Sequence, residues 1–196
     1  MQIRLAAPFT VEGSAQSDVP PKGVYLTIVD GPSTYSVYAD VDGEGRFHLK
    51  GVYPGRYRIN PSSVAGHYLA QVRLGEQDVT GQTVDLARGG PRIRLVYRSD
   101  VGSVRGSVEN GANSTVVLLG NGGWDFPANV HCMPDGKFEL TGLRPGEYSA
   151  VAFNRVEWDL LDEPGFVQRV TRGAAAVRVD PGGVASVDLR LTVWPQ

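Results

Sequence analysis

Cysteine occurs once in this sequence, at Cys132, and histidine three times, at His48, His67 and His131. One thiol cannot close an intramolecular disulfide, so packing alone must hold the fold, and the cysteine count assigns no redox compartment. The histidines are scattered, without the His-x-x-Glu or His-Glu-x-x-His spacing that gathers zinc ligands, and no zinc site is expected. No apolar run approaches the roughly 18 residues of a membrane-spanning helix. The opening residues Met1-Gln2-Ile3-Arg4-Leu5-Ala6-Ala7-Pro8 have no basic segment leading into an apolar core, so no secretion signal is expected there. Cationic excess is missing as well: 19 Lys and Arg against 21 Asp and Glu leave a net charge of −2, which argues against nucleic acid as a partner. Helical periodicity is scarce, which excludes a long helical bundle.

Turn chemistry is what the chain has in quantity. Among 196 residues, 25 are Gly and 13 Pro, yet 41% are hydrophobic, a turn-dense chain with enough apolar surface for one or two packed cores. A self-similar pattern runs through the turns. Gly45-Arg46-Phe47-His48-Leu49-Lys50-Gly51-Val52-Tyr53-Pro54-Gly55-Arg56-Tyr57 is matched in register by Gly136-Lys137-Phe138-Glu139-Leu140-Thr141-Gly142-Leu143-Arg144-Pro145-Gly146-Glu147-Tyr148. Upstream, Val11-Glu12-Gly13-Ser14 matches Val104-Arg105-Gly106-Ser107; downstream, Gly89-Gly90 matches Gly182-Gly183. Phe47 and Leu49, like Phe138 and Leu140, lie two apart and share one strand face, with Arg46, His48 and Lys50 on the other. Pro54-Gly55 and Pro145-Gly146 supply a turn, Pro fixing φ and Gly accepting a positive one, before the return strand.

Further alternating runs, Val24 to Val29, Tyr35 to Val41, Val84 to Leu86, Ile93 to Tyr97, Val116 to Leu119, Val177 to Val179 and Val187 to Val193, predict an antiparallel sandwich of short strands. Between Asn60 and Thr83 the chain reads as a loop, an extended segment Tyr68 to Leu74 and a turn at Gly75 to Asp78. In the second copy, Trp158, Leu161, Phe166 and Val167 suit one helix face, but Pro164-Gly165 interrupts the pattern, so at most a short turn of helix is expected.

The string Asp42-Gly43-Glu44-Gly45-Arg46-Phe47 through Tyr57, with its second copy, resembles the carboxypeptidase regulatory-like domain, a relative of transthyretin-like and collagen-adhesin B-type domains. The resemblance implies an all-β fold of two tandem Ig-like (prealbumin-like) Greek-key antiparallel β-sandwiches of seven strands, at residues 1–99 and 100–196. It further implies a non-catalytic spacer or assembly module of a large bacterial surface or secreted protein, placed at the cell surface, outside the cell or in the periplasm. Its partners would be proteins, its own neighbouring domains or further copies of itself, and no cofactor is implied. Zinc catalysis in the associated metallocarboxypeptidases resides in another domain. The Lys to Asn isopeptide bond of the adhesin domains is not expected, since the lysines are only Lys22, Lys50 and Lys137, and neither terminal strand, Ile93 to Tyr97 nor Val187 to Val193, contains Asn. The Tyr-Arg-Gly-Ser ending of transthyretin-like hydrolases is also missing.

Candidate sites stand beside plainer readings. Asp40, Asp42 and Glu44 alternate around Gly43 and offer oxygen ligands to calcium; a solvated hairpin turn explains them equally. Cys132 as a nucleophile needs a base, but adjacent His131 lies on the opposite strand face, so an ordinary semi-buried cysteine is expected. Trp124-Asp125 and Trp158-Asp159 pair rings with carboxylates as polysaccharide-binding sites do, while a tryptophan on a sandwich loop also caps its own core; Trp194 stands near the end. Ile3-Arg4-Leu5 repeats Ile93-Arg94-Leu95. Residues 1–7 therefore read as the last strand of a preceding repeat, as an edge lent to a neighbouring subunit to build filaments, or as a strand of the first sandwich. No catalytic residue is expected.

Overall fold

The computed structural model describes residues 6–29, 35–120, 128–158, 160 and 164–194. Their regular secondary structure is nearly all strand, with one short helix, and the chain divides into two compact units, Met1–Ser99 and Asp100–Gln196.

In the first unit the order β4-β1-β9-β6-β7 joins β1 (Phe9–Gln16), β4 (Arg46–Val52), β6 (Tyr68–Leu74), β7 (Gln77–Asp78) and β9 (Ile93–Arg98). A second sheet, β3-β2-β5-β8, contains β2 (Gly23–Ile28), β3 (Ser36–Asp40), β5 (Gly55–Pro61) and β8 (Thr83–Leu86). Alternation drives the layering: along β4, Phe47 and Leu49 are buried while Arg46, His48 and Lys50 are exposed, so apolar residues at period two share one face. Phe47, Leu49, Leu26, Tyr57, Ile93 and Leu95 join in one core.

The second unit follows a related path. Its sheet runs β12-β11-β14-β16-β10-β13, built from β10 (Gly102–Glu109), β11 (Thr115–Gly120), β12 (Ala128–His131), β13 (Lys137–Leu143), β14 (Gly146–Phe153) and β16 (Val184–Thr192), with β15 (Ala175–Val179) pairing β14. Local registers match between the units: Gly13 faces Phe47 and Gly106 faces Phe138, each after an irregularity at the start of the first strand. The two return strands begin alike. Tyr57 Oη donates to the Tyr53 carbonyl at 3.0 Å and Tyr148 Oη to the Arg144 carbonyl at 2.7 Å, tying each turn to the strand it launches.

Three expectations need correction. Two of the three sheets are mixed rather than antiparallel: β1 pairs β9 in parallel, β10 pairs β16 in parallel, and β16 continues in parallel against β14, while β3-β2-β5-β8 is antiparallel throughout. A unit whose last strand returns beside its first, in the same direction, needs a long crossover, and the rest of the unit supplies it. The described residues of the first unit form nine strands rather than seven, because β6 and β7 extend one sheet beyond β9. In the second unit the matching stretch holds helix α1 (Pro164–Val170) and a 3-10 turn at Thr171–Gly173. Pro164 opens this helix instead of interrupting one, since the first helical residue needs no N–H and suits the fixed φ of proline.

Candidate functional site

The two units treat one sheet face in opposite ways. In β11, Val116 and Leu118 point into the core shared with Phe138 and Tyr148, while Val117 and Leu119 point to the other side. There, with Val151 and Phe153 of β14, they are covered by Phe166 and Val170 of α1 and by Trp194. The Trp194 ring meets Phe153 edge-on at 4.7 Å and Phe166 at 5.0 Å. In the first unit, Val24 and Leu26 of β2 point inward, and among the described residues no helix covers the outer side, where Tyr25 and Tyr38 are exposed.

That open face is a grid set by strand register. One row holds Tyr38, Tyr25 and Asn60, on β3, β2 and β5; the next holds Ser36, Thr27, Arg58 and Thr83, on β3, β2, β5 and β8. Tyr25 and Tyr38 are 45% and 44% exposed, and their rings lie 4.6 Å apart with a 42° tilt. Tyr38 also lies over Gly23, where an added Cβ would come within 2.4 Å of the ring, so the glycine makes room for the aromatic pair. Polar bonds fix the surroundings: Tyr38 Oη donates to Asp40 at 2.7 Å, Asn60 Nδ2 to Thr27 Oγ1 at 3.1 Å, Arg56 to Thr83 Oγ1 at 3.1 Å. The Asp40 carboxylate, accepting that proton, pushes the Tyr38 phenol above its ordinary pKa, with desolvation adding to the shift. Beside the grid, exposed Tyr35 and Tyr53 meet edge-on at 6.0 Å, and Tyr35 Oη donates to the Gly51 carbonyl at 2.6 Å. Aromatic faces ringed by hydroxyl, amide and guanidinium groups can stack on a partner and hydrogen-bond its rim.

Sequence reasoning did not find this face. Tyr25 and Tyr38 were legible as strand residues, but their contact depends on the register between β2 and β3, which neither run specifies alone.

The residues expected from sequence fare differently. Asp40, Asp42 and Glu44 do not converge on a cation site. Asp42 Oδ1 accepts the N–H groups of Glu44 and Arg46 at 2.9 and 2.8 Å, its Oδ2 meets Arg46 Nε at 3.1 Å, and Glu44 pairs with Arg46 at 2.8 Å. The Arg46 N–H and guanidinium hold the Asp42 carboxyl below its usual range. Arg46 supplies the positive charge that Asp42 and Glu44 meet, and among the described residues no cluster of three His, Cys, Asp or Glu could hold a metal. Cys132 is buried rather than semi-buried, with Ser114 Oγ donating to its sulfur at 3.3 Å; His131 bonds instead with Thr115 at 3.1 Å. Trp158 is 46% exposed and Trp194 is buried in the core beneath α1. Trp124, Asp125 and Asp159 lie outside the described residues, as do Ile3, Arg4 and Leu5.

No family model matches the sequence, and neither does any curated protein. Among solved structures, the chain is similar to the minor pilin of Streptococcus agalactiae, with 11% identity over 95% of this chain and 96% of that one and a TM-score of 0.44. It is also similar to a streptococcal ancillary pilin, with 15% identity over 92% of this chain and 62% of that one and a TM-score of 0.39. Similarity to the Bacillus anthracis TIE protein covers 94% of this chain and 34% of that one at 11% identity, with a TM-score of 0.34. The chain therefore spans about a third of the length of that last protein. No helix among the described residues is long and apolar enough to cross a membrane.

Proposed function

We propose that this chain is a non-catalytic structural and interaction module of a bacterial cell-surface or secreted protein, two β-sandwich domains in tandem, with the outer face of β3-β2-β5-β8 as its contact surface. The observation that carries the reading is the contrast between the units: equivalent strands present an apolar face sealed by α1 and Trp194 in one, and an open face of tyrosine, asparagine, arginine and hydroxyl groups in the other. Exposed tyrosines among adaptable polar groups are the composition of protein contact surfaces. Placement at the cell surface follows from the resemblance to tandem regulatory-like domains of bacterial surface proteins.

The test is retention of the full chain on immobilised copies of itself and in gels containing xylan, mannan or laminarin, comparing the parent with Tyr25→Ser/Tyr38→Ser. Loss of retention with an unchanged Tm supports the reading. It is overturned if the double variant is retained like the parent, or if the parent is retained nowhere.

A further inference from the structure

Strand β3 is the edge of its sheet, and its pairing with β2 determines which backbone groups are spent. Ile28 donates to the Tyr35 carbonyl at 3.0 Å and Val41 to the Lys22 carbonyl at 3.2 Å. Because antiparallel bonding alternates, Tyr35, Val37, Ala39 and Val41 direct their N–H and C=O groups to β2. Those of Ser36, Tyr38 and Asp40 point away from the sheet, and none of them has a backbone partner among the described residues. Exposed edges are ordinarily protected by charged side chains, lysine above all. Two other edge strands follow that rule, β4 with Arg46 and Lys50 and β13 with Lys137 and Glu139, while β7, β8 and β12 carry no Lys or Arg either. Strand β3 carries Ser36, Tyr38 and Asp40, with no cation.

We propose that β3 is a self-association edge, at which two copies of this chain pair antiparallel about Tyr38. The sequence is self-complementary in that register. Tyr38 faces Tyr38 of the second copy, and Ser36 faces its Asp40 on both sides, hydroxyl against carboxylate. All three residues with outward-directed backbone groups then exchange hydrogen bonds with their opposites. A register centred on Val37 or Ala39 leaves one of the three without a counterpart in the strand. The joined sheet carries a row Tyr25–Tyr38–Tyr38–Tyr25 across its outer face, and cross-strand aromatic pairs are among the stronger sheet contacts. Valine and alanine at 37 and 39 stay on the buried side.

Engineered thiols test this directly, since Cys132 is buried. Residues in a hydrogen-bonded antiparallel pair lie about 5.5 Å apart at Cα, inside the range a disulfide bridges, whereas two Tyr25 positions would be three strand spacings apart, roughly 14 Å. Tyr38→Cys is expected to form a covalent dimer on mild oxidation well ahead of Tyr25→Cys. As a second measurement, Ser36→Cys mixed with Asp40→Cys is expected to give more mixed dimer than either variant gives alone. Equal oxidation rates at 38 and 25, or no preference for the mixed pair, would overturn the proposal. It rests on the reading of this face as a contact surface. Polysaccharide retention lost in Tyr25→Ser/Tyr38→Ser, without preferential Tyr38→Cys cross-linking, would leave that reading standing and end this one.

Discussion

The ring of Phe47 rests on the α-carbon of Gly13, so closely that an added Cβ would stand 2.1 Å from Phe47 Cζ and 2.7 Å from the Ile93 carbonyl. In the second unit, a Cβ on Gly106 would meet the Val187 carbonyl oxygen at 1.7 Å and the Phe138 ring at 3.3 Å. Glycine in the first strand thus lets the aromatic of the neighbouring strand fold over it, and lets the parallel last strand approach from the other side.

Gly13→Ala is therefore expected to destabilise the first unit by about 1–3 kcal/mol, the usual range for overpacking. Gly106→Ala should cost more, because the obstacle is main chain in β16 rather than a ring that can swing. Urea denaturation followed by circular dichroism measures both, with tryptophan fluorescence reporting the second unit, where all three tryptophans lie, and variants that unfold with the parent would refute the packing argument.

Each turn-tying tyrosine hydroxyl makes a separable contribution. Tyr57→Phe and Tyr148→Phe retain the buried ring and lose the bond to the carbonyl four residues earlier. Each is expected to lower stability by about 0.5–1.5 kcal/mol, read as a shift in denaturation midpoint with an unchanged slope. The bound carbonyls belong to Tyr53 and Arg144, just before the Pro-Gly turns, so the loss should also raise amide exchange there.

Acid and base should loosen the first unit for different reasons. His67 donates through Nε2 to the Asp18 carboxylate at 2.5 Å and through Nδ1 to the Ala65 carbonyl at 2.9 Å, pinning the loop after β1 to the loop after β5. The Ala65 carbonyl and the Asp18 carboxylate raise the His67 pKa above 6.5, and His67 lowers that of Asp18 below 3.8. A raised histidine pKa contributes stability that is complete below pH 6.5 and is lost as pH climbs through the folded value. A lowered aspartate pKa contributes stability present above pH 3.8 and lost as pH falls through the folded value. The latch is thus strongest between these limits. His67→Gln should flatten the dependence of Tm on pH above that window; a parent profile already flat there would exclude the latch.

The sequence discloses what depends on a residue's immediate neighbours. Phe47 and Leu49 alternate with Arg46, His48 and Lys50, and that period alone assigns core and solvent faces along β4. Pro-Gly pairs and the glycines at 45 and 136, with φ of 78° and 79°, mark turns for steric reasons local to the chain. Contacts between distant segments are not legible in this way. The parallel pairing of β1 with β9 joins residues some eighty positions apart. Pro164 carries the same identity whether it breaks a helix or begins one. What decided it was Phe166 and Val170, whose burial against Trp194 and β14 rewards a helix at that point.

Trp194 and Trp158 provide the last contrast. Trp194 is 2% exposed and packs between Phe153 and Phe166, whereas Trp158, in the segment preceding α1, is 46% exposed. Deleting a buried large aromatic removes its contacts and leaves a cavity, so Trp194→Ala is expected to destabilise the second unit by about 3–5 kcal/mol. The helix should feel this first, because Phe166 and Val170 lose the surface that holds α1 against Val117 and Val151. Amide protection over 164–170 is expected to fall before protection in β11. Trp158→Ala should change stability by no more than about 0.5 kcal/mol, as exposed substitutions do. Parallel thermal melts of the two variants decide the matter, and a Trp158→Ala variant that melts as early as Trp194→Ala would show that both rings belong to the core.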